Sequence, residues 1–222
     1  MNILLELLSL RKQLKEDING DISTHNNIIK DGRFPKEHQY KGQKIVGDFN
    51  CRYCEDLTSL EGAPDSVTGN FYCNSCTSLK SLEGAPDSVT GDFFCGSCTK
   101  LTSLEGAPDS TRDFYCNSCY NLTSLEGAPD STGNFDCSGC TKLTSLEGIG
   151  IKYLKQINGE IDLRRCPIKS HVLGLMKVKD LKEVNMDNKE VEEIINRHLR
   201  SRNINKCRAE LEDAGLEEFA QL

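Results

Sequence analysis

The sequence of 222 residues contains no tryptophan, only four histidines and no run of about 18 consecutive apolar residues. A membrane-spanning helix needs such a run, so we expect no association with a membrane. The apolar amino terminus contains Glu6 and lacks both a basic leader and a small-residue cleavage site. It therefore predicts an amphipathic helix over residues 2–17 and not a secretion signal. These absences indicate a cytoplasmic protein, whose thiols stay mostly reduced.

Recognisable catalytic motifs are lacking as well. The histidines, at His25, His38, His171 and His198, lie in no nucleophile elbow, zincin motif or phosphate-binding loop. His198 and Cys207 each lie on the apolar stripe of a predicted helix, where packing is the expected role. The sequence therefore predicts a protein that is not an enzyme and that uses no cofactor.

Charge is distributed unevenly along the chain, whose net charge is −7. Residues 45–148 carry 5 basic and 15 acidic side chains, whereas residues 1–44 and 149–222 carry net charges of +2 and +1. An acidic central segment repels a phosphate backbone, so nucleic acid is not an expected partner.

What the sequence does have is an internal repeat. The phrase S-L-E-G-A-P-D-S begins at Ser59, Ser81, Ser103 and Ser124, and a truncated copy begins at Ser145, so the period is 21 or 22 residues. Between copies, F-x-C alternates as a β-strand does, whereas C-x-x-L-x-S-L has a wider spacing and G-A-P turns the chain. Each unit therefore predicts one short parallel strand and an irregular return path.

The period and the pattern L-x-L-x-x-N/C-x-L are typical of leucine-rich repeats. A sixth, more divergent unit has Leu163 in the position of the first cysteine and Cys166 in that of the second. We expect an α/β-type solenoid of about six leucine-rich-repeat turns, with short parallel strands, an irregular convex side and helical caps at both ends. The expected parts are an N-terminal helix and capping segment over residues 1–44, the solenoid over residues 45–171 and a C-terminal helical cap over residues 172–222.

Ten of the twelve cysteines form five C-x-x-C pairs at the repeat spacing. Two such pairs are a common zinc signal, because four thiolates complete a tetrahedron. Stacked units place the pairs in two columns that do not converge on a point, and a free cysteine packs as a small apolar residue. A structural ladder is therefore the preferred interpretation, with a metal-binding or redox protein and disulfides as the alternatives. The cysteines concerned are Cys51, Cys54, Cys73, Cys76, Cys95, Cys98, Cys116, Cys119, Cys137 and Cys140.

The middle residue of each F-x-C strand points away from the core, toward the expected concave side. Three of these residues in succession are aromatic, and aromatic anchors with a polar rim are the composition of a binding hot spot. The alternative is that the rings only pack on each other as cross-strand neighbours. The predicted partner-binding residues are Tyr72, Phe94, Tyr115, Asn50, Asp92, Asp113 and Asp136. The expected partner is a protein, and the oligomeric state stays open.

The acidic residues of the S-L-E-G-A-P-D-S phrases form two further columns. Their carboxylates either accept backbone N–H bonds within the turns or form an acidic stripe. Such a stripe attracts a basic partner, or imitates DNA and so inhibits an enzyme that acts on nucleic acid. The columns are Glu61, Glu83, Glu105, Glu126 and Glu147, and Asp65, Asp87, Asp109 and Asp130.

The S-L-E-G-A-P repeats, with F-x-C-x-x-C-x-x-L-T-S-L between them, resemble short leucine-rich-repeat-like proteins encoded by bacteriophages and bacteria. The resemblance covers roughly residues 45–170, and the C-terminal A-E-L-E-D-A-G-L-E-E-F-A is similar to the tail of such phage proteins. Members of the family often have asparagine in place of the second cysteine. The resemblance implies a right-handed solenoid that binds a protein. A phage-encoded chain would meet a bacterial protein, such as a defence component, in the host cytoplasm.

Overall fold

The computed structural model describes residues 18–20, 22–23, 32–34 and 40–222. The helix expected over residues 2–17 and the histidines at positions 25 and 38 lie outside this part of the chain. The described chain folds as a parallel-strand β-solenoid of about six turns with few helices. The turns stack because each short strand completes its backbone hydrogen bonds only with the strands before and after it.

The larger of the parallel sheets has eight strands, one from each of the six repeat units and one beyond either end of them. In chain order they are β2 (Ile22–Ser23), β4 (Phe49–Asn50), β6 (Phe71–Tyr72), β8 (Phe93–Phe94), β9 (Phe114–Tyr115), β11 (Phe135–Asp136), β13 (Glu160–Asp162) and β14 (Glu183–Asn185). Each strand pairs with the next in this order, so that β2 and β14 lie at the two edges. The register is constant, since Phe pairs with Phe from Phe49 through Phe135.

A second set of short parallel strands was not expected from the sequence. These strands are β1 (Ile18–Asn19), β3 (Lys44–Val46), β5 (Ser66–Val67) and β7 (Ser88–Val89) in one sheet, and β10 (Ser131–Thr132) and β12 (Gln156–Ile157) in a pair. Val67 and Val89 point into the core. The expectation of one strand per unit was therefore incomplete. Before Phe114, where the repeat spacing falls from 22 to 21 residues, only an isolated bridge from Ser110 to Ser131 takes the place of this strand.

The core of the solenoid consists of columns of identical residues. The phenylalanine column is fully buried, and its rings stack with centroids 5.1–5.5 Å apart and planes within 15° of parallel. Its members are Phe49, Phe71, Phe93, Phe114 and Phe135. The paired cysteines and the leucines of each unit form further buried columns beside it. Because every unit buries its apolar side chains against copies of itself, the repeat determines the core.

The phrase L-E-G-A forms a tight turn at the end of each unit. In the turn from Leu104 to Ala107, the Ala107 N–H donates to the Leu104 carbonyl at 3.0 Å, and Gly106 has a φ of 90°. This is the geometry of a type II turn, whose third residue needs a positive φ. Glycine is required there on a second ground: a Cβ on Gly106 would lie 2.4 Å from the backbone nitrogen of Glu83 in the preceding turn.

The chain ends in a 3-10 helix (Val172–Lys177) and two α-helices, α1 (Lys189–Leu199) and α2 (Ile204–Asp213). Helix α1 begins at the N-cap residue Asn188, whose side chain accepts the N–H of Val191. Its apolar face contacts β14, the 3-10 helix and α2. No helix in the described ranges has the length and apolar character needed to cross a membrane.

Candidate binding face

Three aromatic side chains form a continuous column on the open side of the eight-stranded sheet. Tyr72, Phe94 and Tyr115, here called the aromatic column, each follow a buried phenylalanine by one residue, so the pleat turns them outward. Their rings stack with centroids 4.8 Å apart and planes within 8° of parallel, and each residue stays partly exposed. The column is therefore a rigid apolar ridge, since its ring faces cover each other and its ring edges meet solvent.

The two tyrosine hydroxyls at the ends of the column are held by hydrogen bonds. The Tyr72 hydroxyl accepts a bond from Nδ2 of Asn70 at 2.9 Å, and the Tyr115 hydroxyl donates to Oδ2 of Asp113 at 3.2 Å. Burial and the Asp113 carboxylate raise the pKa of Tyr115 to about 12, so this hydroxyl keeps its proton at neutral pH. These bonds restrict the rotation of both rings.

A column of Asp and Asn side chains flanks the aromatic column and connects successive turns. Their Oδ1 atoms accept backbone N–H groups at 2.7–3.0 Å in the pairs Asp48–Asn70, Asn70–Asp92, Asp113–Asn134 and Asn134–Glu160. Each residue that donates its N–H in these pairs follows a glycine, because a side chain at the glycine position would have no room. A Cβ on Gly91, for example, would lie 2.5 Å from Oδ1 of Asn70. This flank is part of the framework of the sheet.

Asp92, expected on the exposed rim of the binding face, is instead buried, with 8% of its surface exposed. Arg112 occupies the position that is glycine in the other units, and its guanidinium donates two hydrogen bonds to Asp92, at 2.7 and 2.6 Å. The Asp92 carboxylate raises the pKa of Arg112 above its usual range. The ion pair takes the place of the backbone bond that the glycine-containing units make, so Asp92 stabilises the turn and its charge is neutralised within the chain.

Polar residues continue the line of the aromatic column in both directions. Asn50, Asp136 and Asp162 each accept the N–H of the residue two positions later, at 3.1, 2.8 and 3.0 Å. Asp162 is 9% exposed and ion-paired with Arg164. Burial opposes ionisation of Asp162, but the bonds from Arg164 outweigh it and lower the pKa of Asp162. Of the predicted residues, the structure thus brings Asn50, Tyr72, Phe94, Tyr115 and Asp136 into one line, with Asp113 beside it.

The cysteine pairs form two buried columns in which all thiols are free. The second cysteine of a unit donates its S–H to the backbone carbonyl of the first cysteine in the preceding unit, as Cys76 does to Cys51 and Cys98 to Cys73. The bond recurs at Cys119, Cys140 and Cys166, with S···O distances of 3.0–3.4 Å over the whole series. Within the described ranges, no three Cys, His, Asp or Glu side chains are grouped as metal ligands. The second cysteines therefore act as small donors that connect adjacent turns.

The acidic columns of the S-L-E-G-A-P-D-S phrases lie along a different edge, and their side chains are exposed. The expected backbone bond forms at Asp65, whose Oδ1 accepts the N–H of Gly42 at 2.9 Å. Glu61 and Asp130 form ion pairs with Arg33 and Lys155 at 3.0 and 2.8 Å. In the described part of the chain, the remaining members of both columns form no carboxylate hydrogen bond or ion pair.

Two exposed tyrosines, Tyr53 and Tyr120, were not singled out in the sequence, and Tyr53 is the more exposed. Tyr53 is 61% exposed and has a φ of 61°, and the Arg52 guanidinium lies 5.7 Å from the centre of its ring. The equivalent residues of the next four units are Ser75, Ser97, Ser118 and Gly139, and that of the divergent sixth unit is Arg165; all have a positive φ. The sequence pattern that indicates Tyr53 is a tyrosine at a turn position where the next four units have serine or glycine.

The chain matches no protein-family model, no curated protein and no solved structure.

Proposed function

We propose that the protein is a non-enzymatic binding module whose protein partner docks on the aromatic column. The observation that carries this proposal is the run of three partly exposed, stacked rings on the open side of a sheet. Rings that are already fixed by stacking lose little conformational freedom when a partner covers them, so they are efficient binding anchors.

The fold itself does not need the aromatic column. The same position in the line is Asn50, Asp136 or Asp162 in other turns, and those turns keep the same strand pairing. Cross-strand packing alone would favour apolar residues along the whole line, whereas they occur in three adjacent turns only. This restriction to one segment supports a binding role over a purely structural one.

The proposal includes a class for the fold. We propose that the solenoid is of the leucine-rich-repeat type and that α1 and α2 cap its C-terminal end. In support, five successive units each bury two leucines, and an S–H donor occupies the position that is asparagine or cysteine in such repeats. Helix α1 contacts the last strand, β14, and α2 contacts α1, so the pair protects an edge that would otherwise pair with other chains. In a phage-encoded chain the natural partner is a bacterial protein.

The proposal is tested by capture and rebinding. Protein immobilised through its C-terminus captures partners from a bacterial lysate, and the partner identified by mass spectrometry is purified and titrated against Tyr72→Ala, Tyr115→Ala and a control, Tyr120→Ala. Tyr120 is 50% exposed but lies in the turn beyond the second cysteine, away from the column. We expect each column variant to weaken binding at least tenfold, which corresponds to about 1.4 kcal/mol, and the control to bind as the wild type does. Equal affinity of all four proteins would refute the proposal.

A further inference from the structure

We infer that the partner presents a positively charged segment, which places an apolar side chain on the aromatic column and Lys or Arg side chains on Asp113 and Asp136. This inference rests on the proposed function and names the chemistry of the partner. It follows from the position of these two carboxylates, from the groups that bond to them and from the charges that the chain leaves uncompensated.

Asp113 and Asp136 are both neighbours of Tyr115. Asp113 precedes Tyr115 by two residues on one strand and therefore shares its face of the sheet, and Asp136 pairs directly with Tyr115 on the neighbouring strand. Both side chains are partly exposed. Neighbouring carboxylates on one face repel each other, and a cation placed between them removes that cost.

The negative charges of these two residues are not needed by the fold. Asp113 accepts the N–H of Asn134 through Oδ1 and the Tyr115 hydroxyl through Oδ2. Asn70 bonds the N–H of the next turn and the Tyr72 hydroxyl in the same two places without a charge. Asp136 bonds the N–H of Ser138, and Asn50 makes the equivalent bond to Arg52. An amide oxygen can therefore accept the same backbone bonds in both columns. The negative charge of Asp113 and of Asp136 is not required for these bonds.

Arginines form ion pairs with two other carboxylates of this face but not with Asp113 or Asp136 in the described chain. Arg112 forms an ion pair with Asp92, and Arg164 forms one with Asp162. Within the described ranges, neither Asp113 nor Asp136 has a basic group within 4 Å. The unpaired acidic charge is thus concentrated at one end of the aromatic column. A partner that matches both features places an apolar group on Phe94 and a basic group next to Tyr115.

The test uses the full chain and a random library of twelve-residue peptides, from which binders are selected and synthesised. We expect the selected peptides to be enriched in Lys and Arg next to an aromatic or aliphatic residue. Their affinity is expected to fall about tenfold for the double variant D113N/D136N and for Phe94→Ala, since two partly buried ion pairs together account for about one order of magnitude. The asparagines keep the framework bonds, so the melting temperature of the double variant is expected to be unchanged.

The matched control is the double variant E83Q/E105Q, which removes the same charge from the exposed glutamate column on another edge. It is expected to bind the peptides with less than a twofold change. Peptides that depend on Phe94 but not on Asp113 and Asp136 would overturn the inference and leave the proposed function intact. Binding lost in E83Q/E105Q alone would reject both the inference and the aromatic column as the docking site, and so would the absence of any Phe94-dependent peptide.

Discussion

At the scale of single residues, glycines with a positive φ determine where each turn of the solenoid ends. Gly106 has a φ of 90° and faces the backbone of the preceding turn, whereas Gly42 has a φ of 84° and has no atom within 4 Å of where a Cβ would be. The two positions therefore separate two costs that usually occur together: the strain of the backbone conformation and the steric contact between turns.

Replacing each glycine by alanine measures these costs. We expect Gly42→Ala to lower the free energy of unfolding by about 1–2 kcal/mol, the cost of a left-handed conformation for a residue with a Cβ. Gly106→Ala carries the same cost plus that of overpacking, which together come to about 2–5 kcal/mol. Urea unfolding followed by circular dichroism gives both values. Equal losses in the two variants would show that contact between turns is not a constraint.

At the scale of the strand, β8 contains two consecutive phenylalanines with opposite roles. Phe93 is fully buried and stacks on Phe71 and Phe114, whereas Phe94 is partly exposed and stacks on Tyr72 and Tyr115. Both rings have two stacked neighbours, so the difference between them lies in burial and in the cavity left by truncation.

The variants Phe93→Ala and Phe94→Ala separate the core from the candidate binding face. We expect Phe93→Ala to cost about 3–5 kcal/mol of unfolding free energy, because it opens a cavity in the core. Phe94→Ala leaves no enclosed cavity and loses two stacking contacts, for which about 1–3 kcal/mol is expected. Both are measured by denaturant unfolding under reducing conditions. A larger loss at Phe94 than at Phe93 would contradict the assignment of the two faces.

The same strand indicates how far the sequence predicts the structure. The three-residue pattern F-x-C is long enough to show alternation, and it correctly placed Phe93 inside and Phe94 outside. The strand Ser88–Val89 has two residues, which show no period, so it was invisible in the sequence. The burial of Asp92 was also missed, because its partner Arg112 belongs to the next unit and occupies a glycine position. Contacts within a repeat unit were therefore predictable from the sequence. A contact between two units that departs from the repeat pattern, such as the ion pair of Asp92 and Arg112, was not.

At the scale of the whole molecule, the buried thiols make stability depend on pH. Burial is the largest cause of a raised pKa in six of them, which are Cys51, Cys73, Cys95, Cys98, Cys119 and Cys207. The folded chain keeps these protons at a pH where the unfolded chain releases them. Their contribution to stability is therefore complete below the unfolded thiol pKa of about 8.5 and is lost progressively as the pH rises above it.

We therefore expect the protein to unfold at moderately alkaline pH. Each retained proton lowers the unfolding free energy by about 1.4 kcal/mol per pH unit, so six lower it by about 8 kcal/mol per unit. A domain of ordinary stability, about 5–15 kcal/mol, then unfolds within about two units above pH 8.5. Circular dichroism between pH 7 and pH 11 with a reductant, alongside thiolate absorbance, follows the transition.

The variant Cys95→Val provides the control, because it removes one of the six thiols and keeps an apolar side chain. The pH dependence of its unfolding free energy is expected to be shallower by one proton. A native circular dichroism signal retained at pH 11, or a slope that does not change in the variant, would contradict this account.

The constant register of the eight-stranded sheet gives the repeat number a direct physical meaning. Phe pairs with Phe and outward residue with outward residue at each step, so the aromatic column grows or shrinks in increments of one ring, 4.8 Å each. Removal of residues 81–102, one complete unit, would bring Tyr72 next to Tyr115 with the strand pairing conserved. Gain or loss of one repeat unit therefore changes the length of the aromatic column by one ring and leaves the fold unchanged.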